Sequence, residues 1–401
     1  MTKSIFILAV TSLFLSDGCG QTNSPASKNN TPSEDAIKIK VGKAPGCVEV
    51  ADLNNDKFPD LIVTNEQDSS VTILLGKGKA QFQEAKGSPF PAGNGVNDIA
   101  IGDFNKDGNP DLAFANHERQ YLTVLWGNGQ GNFAAAPNSP FPVMVKPHPH
   151  GIATGDFNND GRLDLATDDW GNNEIEILFG DSIMGFKTPG TYFKVGKMPY
   201  QRLRAADVNG DHNIDIITTN LEGDNATVLL GDGNGSFNEA AGSPFPCGDS
   251  PFGLAIGDVN ADGKPDLAIV NSPASTGGRT GVNGMTVLLG DGTGKFIMMK
   301  GSPYDAGEIP NRIAIGDVNG DGVNDIVLSD NNSNKITLFL MSKAGSVSSA
   351  SVITVGNHPK GVAIADLDGD GKGDIVACNN TDDDILIIPG GKLDQRRVHE
   401  K

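Results

Sequence analysis

Asp258-Val259-Asn260-Ala261-Asp262-Gly263-Lys264-Pro265-Asp266 is a nine-residue phrase that the chain writes seven times, as Asp-x-Asn-x-Asp-x-x-x-Asp with one Asn-to-Asp exchange in the last copy. The copies begin at Asp52, Asp103, Asp156, Asp207, Asp258, Asp317 and Asp366, at intervals of 51, 53, 51, 51, 59 and 49 residues. Self-similarity at such a period marks repeated supersecondary units stacked in an array. Around the fifth copy the unit reads Gly253-Leu-Ala-Ile-Gly-Asp258, the acidic loop, Asp266-Leu-Ala-Ile-Val-Asn271, Met285-Thr-Val-Leu-Leu-Gly290 and Gly294-Lys-Phe-Ile297. Short apolar runs between turn residues are strands, and four-stranded sheets repeated radially build a propeller of about 4 to 8 blades. The sequence therefore predicts an all-β, seven-bladed β-propeller of four-stranded blades. Helical solenoids are excluded because no long stretch keeps a 3.6-residue period free of Gly or Pro.

Each phrase supplies side-chain oxygens at positions 1, 3, 5 and 9 of a tight loop. The candidate ligands are Asp52, Asn54, Asp56 and Asp60; Asp103, Asn105, Asp107 and Asp111; Asp156, Asn158, Asp160 and Asp164; Asp207, Asn209, Asp211 and Asp215; Asp258, Asn260, Asp262 and Asp266; Asp317, Asn319, Asp321 and Asp325; and Asp366, Asp368, Asp370 and Asp374. An all-oxygen protein cage suits calcium, which takes roughly 6 to 8 oxygens flexibly, better than magnesium, which holds its water. Up to seven calcium ions are expected, one per blade. Position 6 is Gly in five copies, which reaches positive φ cheaply; Lys57 and His212 stand there in the first and fourth, which are expected to bind most weakly. An EF-hand is rejected because its bidentate Glu at position 12 is replaced by apolar, strand-like sequence such as Val63.

The termini predict how the ring closes. The last unit runs out after Ile385-Leu-Ile-Ile388 and Gly390-Gly391 without a fourth strand, whereas Ala36-Ile-Lys-Ile-Lys-Val-Gly42 is a strand to spare before the first loop. Pairing the two hides both sheet edges. Residues such as Phe104-Asn-Lys-Asp-Gly-Asn-Pro-Asp-Leu-Ala113 and Thr227-Val-Leu-Leu-Gly-Asp-Gly-Asn-Gly-Ser-Phe237 resemble FG-GAP/VCBS repeats, the blades of the integrin α-subunit propeller and of many bacterial surface proteins. The resemblance spans residues 36–391 and implies a seven-bladed propeller with calcium in the first hairpin of each blade, on one face. It says nothing of the ligand, since fold does not give function.

Residues 1–19 read as an export signal: Lys3, the apolar run Ile5 to Leu15, then Ser16-Asp17-Gly18-Cys19. Gly18-Cys19 resembles a bacterial lipobox, with Leu15 one place too far from Cys19, so a lipid-anchored envelope protein and a secreted one both stand as readings. Residues 20–35 are expected to be a flexible linker, and 392–401 a charged tail. Cys47, Cys247 and Cys378 form no zinc or redox pattern; buried thiols are expected. The formal charge is −19, which seven divalent ions would bring to about −5. Nucleic acid is excluded as a partner, since its binding rests on Lys/Arg neutralisation of phosphate. The molecule is expected to be a monomer, touching a membrane only through an N-terminal lipid anchor.

On the face away from the acidic loops, the residues entering each first strand differ: Gly46-Cys47, Asn97-Asp98, His150-Gly151, Gln201-Arg202, Phe252-Gly253, Asn311-Arg312 and Lys360-Gly361. His148, His150, Asp168 and Trp170 of the third unit, with Tyr200 and Arg202 of the fourth, are the candidate ligand-binding group, able to stack a sugar ring and bond its hydroxyls. Glu49 and Arg204, where other copies carry Ala, are charges that need partners if buried. The pattern holds no nucleophile–base pair, which favours a non-catalytic binding or adhesion module for a glycan or protein over a polysaccharide lyase or glycosidase, or a purely structural assembly partner.

Overall fold

The computed structural model describes residues 28–30, 35–183, 185–276 and 280–392. The export signal, Cys19, most of the linker and the tail from 393 onward lie outside the described residues. Seven blades, each built on antiparallel strands, are arranged radially, with a separate two-stranded hairpin, Gly180–Asp181 and Gly185–Phe186, in blade three. In blade one, Pro45–Ala51, Asp60–Asn65, Ser70–Gly76 and Phe82–Glu84 run from the axis outward. First strands of neighbouring blades pack on one another around the axis.

Alternation along the second strand explains the packing. In Asp60–Asn65 every residue is buried, yet Leu61 joins a cluster with Val376 and Ile385 of blade seven, while Ile62 joins one with Ile99 and Phe114 of blade two. Successive side chains of a strand point to opposite faces, so one apolar run serves two interfaces. Seven apolar clusters result, six filled from two adjoining blades and one, between blades five and six, joined by Leu221 of blade four.

Ile37–Lys40 pairs antiparallel with Asp384–Ile388, Ile37 opposite Ile387 and Lys40 opposite Asp384. The N-terminal strand thus completes the last blade as the sequence predicts, and Lys38 and Lys40 reach the buried Asp384 carboxylate at 3.4 and 3.2 Å. Further upstream, Lys28–Asn30, inside the segment expected to be a linker, lies parallel to the long outer strand Ser346–Thr354 of blade six.

The outer strand is less regular than the repeat suggests. In blades one, two, four and five it is split, and a two-residue piece such as Phe90–Pro91 pairs with the start of the third strand. The turn before it docks on the preceding blade: Gly235 N donates to Phe157 O at 3.1 Å, Gly294 N to Val208 O at 3.2 Å, and Ala80 N to Leu367 O at 2.8 Å. At Gly235, with φ +81°, a Cβ would stand 2.7 Å from the ring of Phe179, so the close approach of two blades needs glycine there.

Candidate functional site

The acidic phrases form the seven first hairpins, all on one face of the ring. In blade one, Asp52 accepts hydrogen bonds from Asp56 N at 3.1 Å and Lys57 N at 2.8 Å, Asn54 Oδ1 accepts from Asp56 N, and Asp56 Oδ1 accepts from Phe58 N. Positions 1, 3 and 5 thereby gather at an exposed tip. In blade seven the carboxylates of Asp366, Asp368 and Asp370 lie within 4.8 Å of one another. Lys57 and His212 adopt φ +71° and +69°, the conformation held by glycines in the other loops. Position 4 is left-handed too, through Asn55, Lys106, Asn159, Gly210, Ala261, Gly320 and Gly369, a requirement that the scattered Gly and Asn could have disclosed in the sequence.

Position 9 does different work from its three companions. Asp60 is fully buried; its Oδ2 accepts from Leu53 N at 2.8 Å and its Oδ1 from Gly76 N at 2.7 Å. Asp111, Asp164, Asp215, Asp266, Asp325 and Asp374 repeat this pair of bonds. The side chain pegs the loop to the end of the third strand, while each carboxylate oxygen keeps a lone pair to offer. Burial, opposed by those backbone bonds and aided by neighbouring Asp charges, pushes Asp60, Asp111, Asp215, Asp266 and Asp374 up to about 6, and Asp164 and Asp325 to about 7.

On the opposite face the structure brings five of the six expected ligand-binding residues together. The ring centroids of His148 and His150 are 4.8 Å apart, those of His150 and Trp170 5.7 Å, His150 and Tyr200 4.2 Å, and Trp170 and Tyr200 5.4 Å. Trp170 Nε1 donates to His148 O at 3.1 Å. His150 is only 3% exposed and stands beneath the half-buried rings of His148, Trp170 and Tyr200. Asp168, fully buried, holds the entry to the strand by accepting from His150 N and Gly151 N at 2.9 and 2.6 Å. Two members not expected join the arc: His117 of blade two, 6.0 Å from both His148 and His150, and Phe252 of blade five, 5.8 Å from Tyr200. Burial, and then the neighbouring His150 and His117, lower His148 to about 4, so it is neutral at pH 7.

Arg202 does not belong to this group. It is 4% exposed and turned into the channel, where its guanidinium pairs with Asp98 of blade two and lies 3.6 Å from Cys47 Sγ of blade one. Arg204 approaches the other Asp98 oxygen at 3.5 Å, and Arg312 of blade six donates to Asn97 O and Oδ1 at 3.0 and 2.9 Å. These bonds span the ring between blades that do not adjoin. Arg204 finds its partner here, and burial raises Glu49 while Arg204 and Arg312 pull it down. Cys47, Cys247 and Cys378 are free buried thiols; burial first, then Glu49, pushes Cys47 up to about 12. The constant Asn/Asp ending each second strand is structural, as the repeat implies: Asn65 Nδ2 donates to Ser70 and Thr72, and Asp169 Oδ1 accepts from Lys146 N.

No curated protein matches the chain in sequence. Among solved structures it is similar to a Lactobacillus plantarum protein (TM-score 0.57, 12% identity, 79% of this chain and 86% of that one covered), to virginiamycin B lyase from Staphylococcus aureus (0.53, 14%, 88% and 99%) and to an Agrocybe aegerita lectin that recognises non-reducing terminal N-acetylglucosamine (0.50, 16%, 77% and 80%). At such identities the likeness is one of fold. The pattern of the FG-GAP-like repeat matches residues 52–114, 103–167, 207–269 and 317–377, more than half of the chain. With seven blades, each opened by the acidic hairpin, the chain belongs to the FG-GAP-like repeat family.

Proposed function

We propose that the chain is a calcium-stabilised propeller of the cell envelope or the secreted fraction, and that it binds a glycan or protein ligand without catalysis through the face opposite its acidic hairpins. The observation that carries the binding site is the arc of half-buried rings, His148, Trp170 and Tyr200, over the buried His150. Rigid aromatic faces with polar edges stack sugar rings and anchor protein side chains at little entropic cost. A lectin among the proteins of like fold shows that this architecture can carry a sugar site. Calcium fits the hairpins because their donors are oxygens that already converge,. The ions would take Asp, Asn or Asp, and Asp at positions 1, 3 and 5, with the pegged position 9 behind them. Export through residues 1–19, with Cys19 as lipid attachment point or the protein freely secreted, agrees with abundant external calcium.

The test is a glycan array and a protein capture, both in calcium, comparing the native chain with Trp170→Ala. Loss of the ring should weaken binding by about 2 kcal/mol, some thirtyfold. Equal signals from the two proteins would remove this face as the binding site, and turnover of a polysaccharide by the native chain would replace the non-catalytic reading.

A further inference from the structure

The axis of the ring is closed at one end and open at the other. Toward the aromatic face the first strands are buried, as over residues 46–48, 202–203 and 311–313, and the stopper is the set of cross-axis bonds made by Arg202 and Arg312. Toward the hairpin face the same strands become partly exposed, from Glu49 in blade one and Arg204 in blade four to Ile364 in blade seven. The channel therefore ends blind and is entered from the hairpin side. Strand register puts Glu49 and Arg204 at one level of it, opposite Ile62 and Ile217, in the places that Ala100, Ala153, Ala255, Ala314 and Ala363 hold in the other blades. Two residues nearer the mouth, on the same side of each strand, all seven copies carry Ala or Gly, as at Ala51 and Gly102, so no bulky side chain of that row blocks the way down.

Only one corner of the Arg204 guanidinium is engaged. Its Nη1 donates to Leu203 O at 3.0 Å and faces Asp98 Oδ2 at 3.5 Å. Nε and Nη2, the paired edge of the fork, donate to nothing among the described residues, and the side chain keeps 27% of its surface exposed. Glu49, half-buried, accepts no hydrogen bond and forms no ion pair among the described residues. Three guanidinium groups, those of Arg202, Arg204 and Arg312, thus stand around the axis against two carboxylates, those of Asp98 and Glu49, which leaves one positive charge. Charge held away from water is costly unless balanced, and two parallel N–H groups match the two oxygens of a carboxylate. We propose that the axial channel is a second ligand site, taking a small monocarboxylate whose oxygens accept from Arg204 Nε and Nη2. One surplus charge, with Glu49 close by, selects a monoanion over a doubly charged phosphate. The same surplus argues against a metal ion among Cys47, Glu49 and Asp98, although their ligand atoms lie within 4.8 Å of one another.

The inference stands independently of what the aromatic face binds, since that face lies at the stoppered end. The acidic hairpins surround the mouth and oppose the entry of an anion, so the test is made in saturating calcium. Propionate is titrated against the protein by saturation-transfer NMR, with propionamide, of the same shape and no charge, as the control. Propionate should bind and propionamide should not; binding should be about tenfold weaker in Arg204→Ala and tighter in Glu49→Gln, which removes the nearby negative charge. Alanine is what five blades already carry at this level, and an unchanged melting temperature certifies that the Arg204 variant folds. No transfer to propionate, equal transfer to propionamide, undiminished binding in Arg204→Ala or weaker binding in Glu49→Gln would each overturn the proposal.

Discussion

The two faces of the ring are built on opposite plans. On the hairpin face the same bonds recur seven times, each within a few residues of chain, at exposed tips that touch mainly their own blade. On the other face the blades present differing residues, the axial charges of Asp98, Arg202 and Arg312 are buried, and Arg202 and Arg312 reach partners 104 and 215 positions away. Repetition serves stability, because any blade can be held in the same way. Divergence gives one place among the described residues a set of rings and charges that no other blade repeats, which is what the proposed ligand site requires.

Removing calcium should produce the largest effect and test the first plan. A site at free calcium 100-fold above its Kd contributes about 2.7 kcal/mol, so stripping several sites with chelator should lower the melting temperature steeply; an unchanged melt breaks the hairpin half of the comparison. Next, Asp98→Ala leaves two guanidinium groups without their carboxylate and should cost about 3–5 kcal/mol, measured by denaturant unfolding in saturating calcium. Asp56→Ala, which removes one candidate ligand from one of seven like sets, should cost much less in the same assay.

A pH series sharpens the contrast further. Burial holds the seven position-9 carboxyls at about 6 to 7, above the ordinary 3.8. A raised carboxyl contributes stability that is complete below about pH 4 and lost as pH climbs through 6 to 7. Calcium-free protein should therefore melt lower at pH 8 than at pH 5, whereas calcium should reverse the order by favouring the ionised form; calorimetry at the two pH values decides it. The smallest effect belongs to Lys57→Gly. Relief of a left-handed lysine is worth about 1 kcal/mol and should raise calcium affinity at blade one, read by titration of that loop against the native protein.

What the sequence disclosed follows the same division. Seven blades, the hairpin loops and the closing strand were legible because each is a local pattern repeated in register, and the lone departure at Ala36–Gly42 had one vacancy to fill. Glu49 and Arg204 stood out as breaks in a run of alanines, although their neighbours did not. Asp98 and Arg202 are unremarkable residues that become a pair only when blades two and four face each other across the axis. Position 9 looked equivalent to positions 1, 3 and 5 in spacing; its two backbone bonds depend on Gly76 and its counterparts, which lie 16 residues on in six blades and 24 in blade five. His117 carries no local signal in the sequence and gains its meaning only from the third blade beside it.

The closing strand has a consequence for biogenesis. Lys40 and Asp384 are separated by 344 positions, so the segment that leaves the ribosome among the first is partnered by one made long afterwards. A nascent chain can form individual blades, each from local contacts, but no fragment short of blade seven can shut the circle, and long-range closure is slow compared with local pairing. The chain therefore stays an open arc until blade seven has been made, and becomes a locked disc only once that last blade receives the Ile37–Lys40 strand.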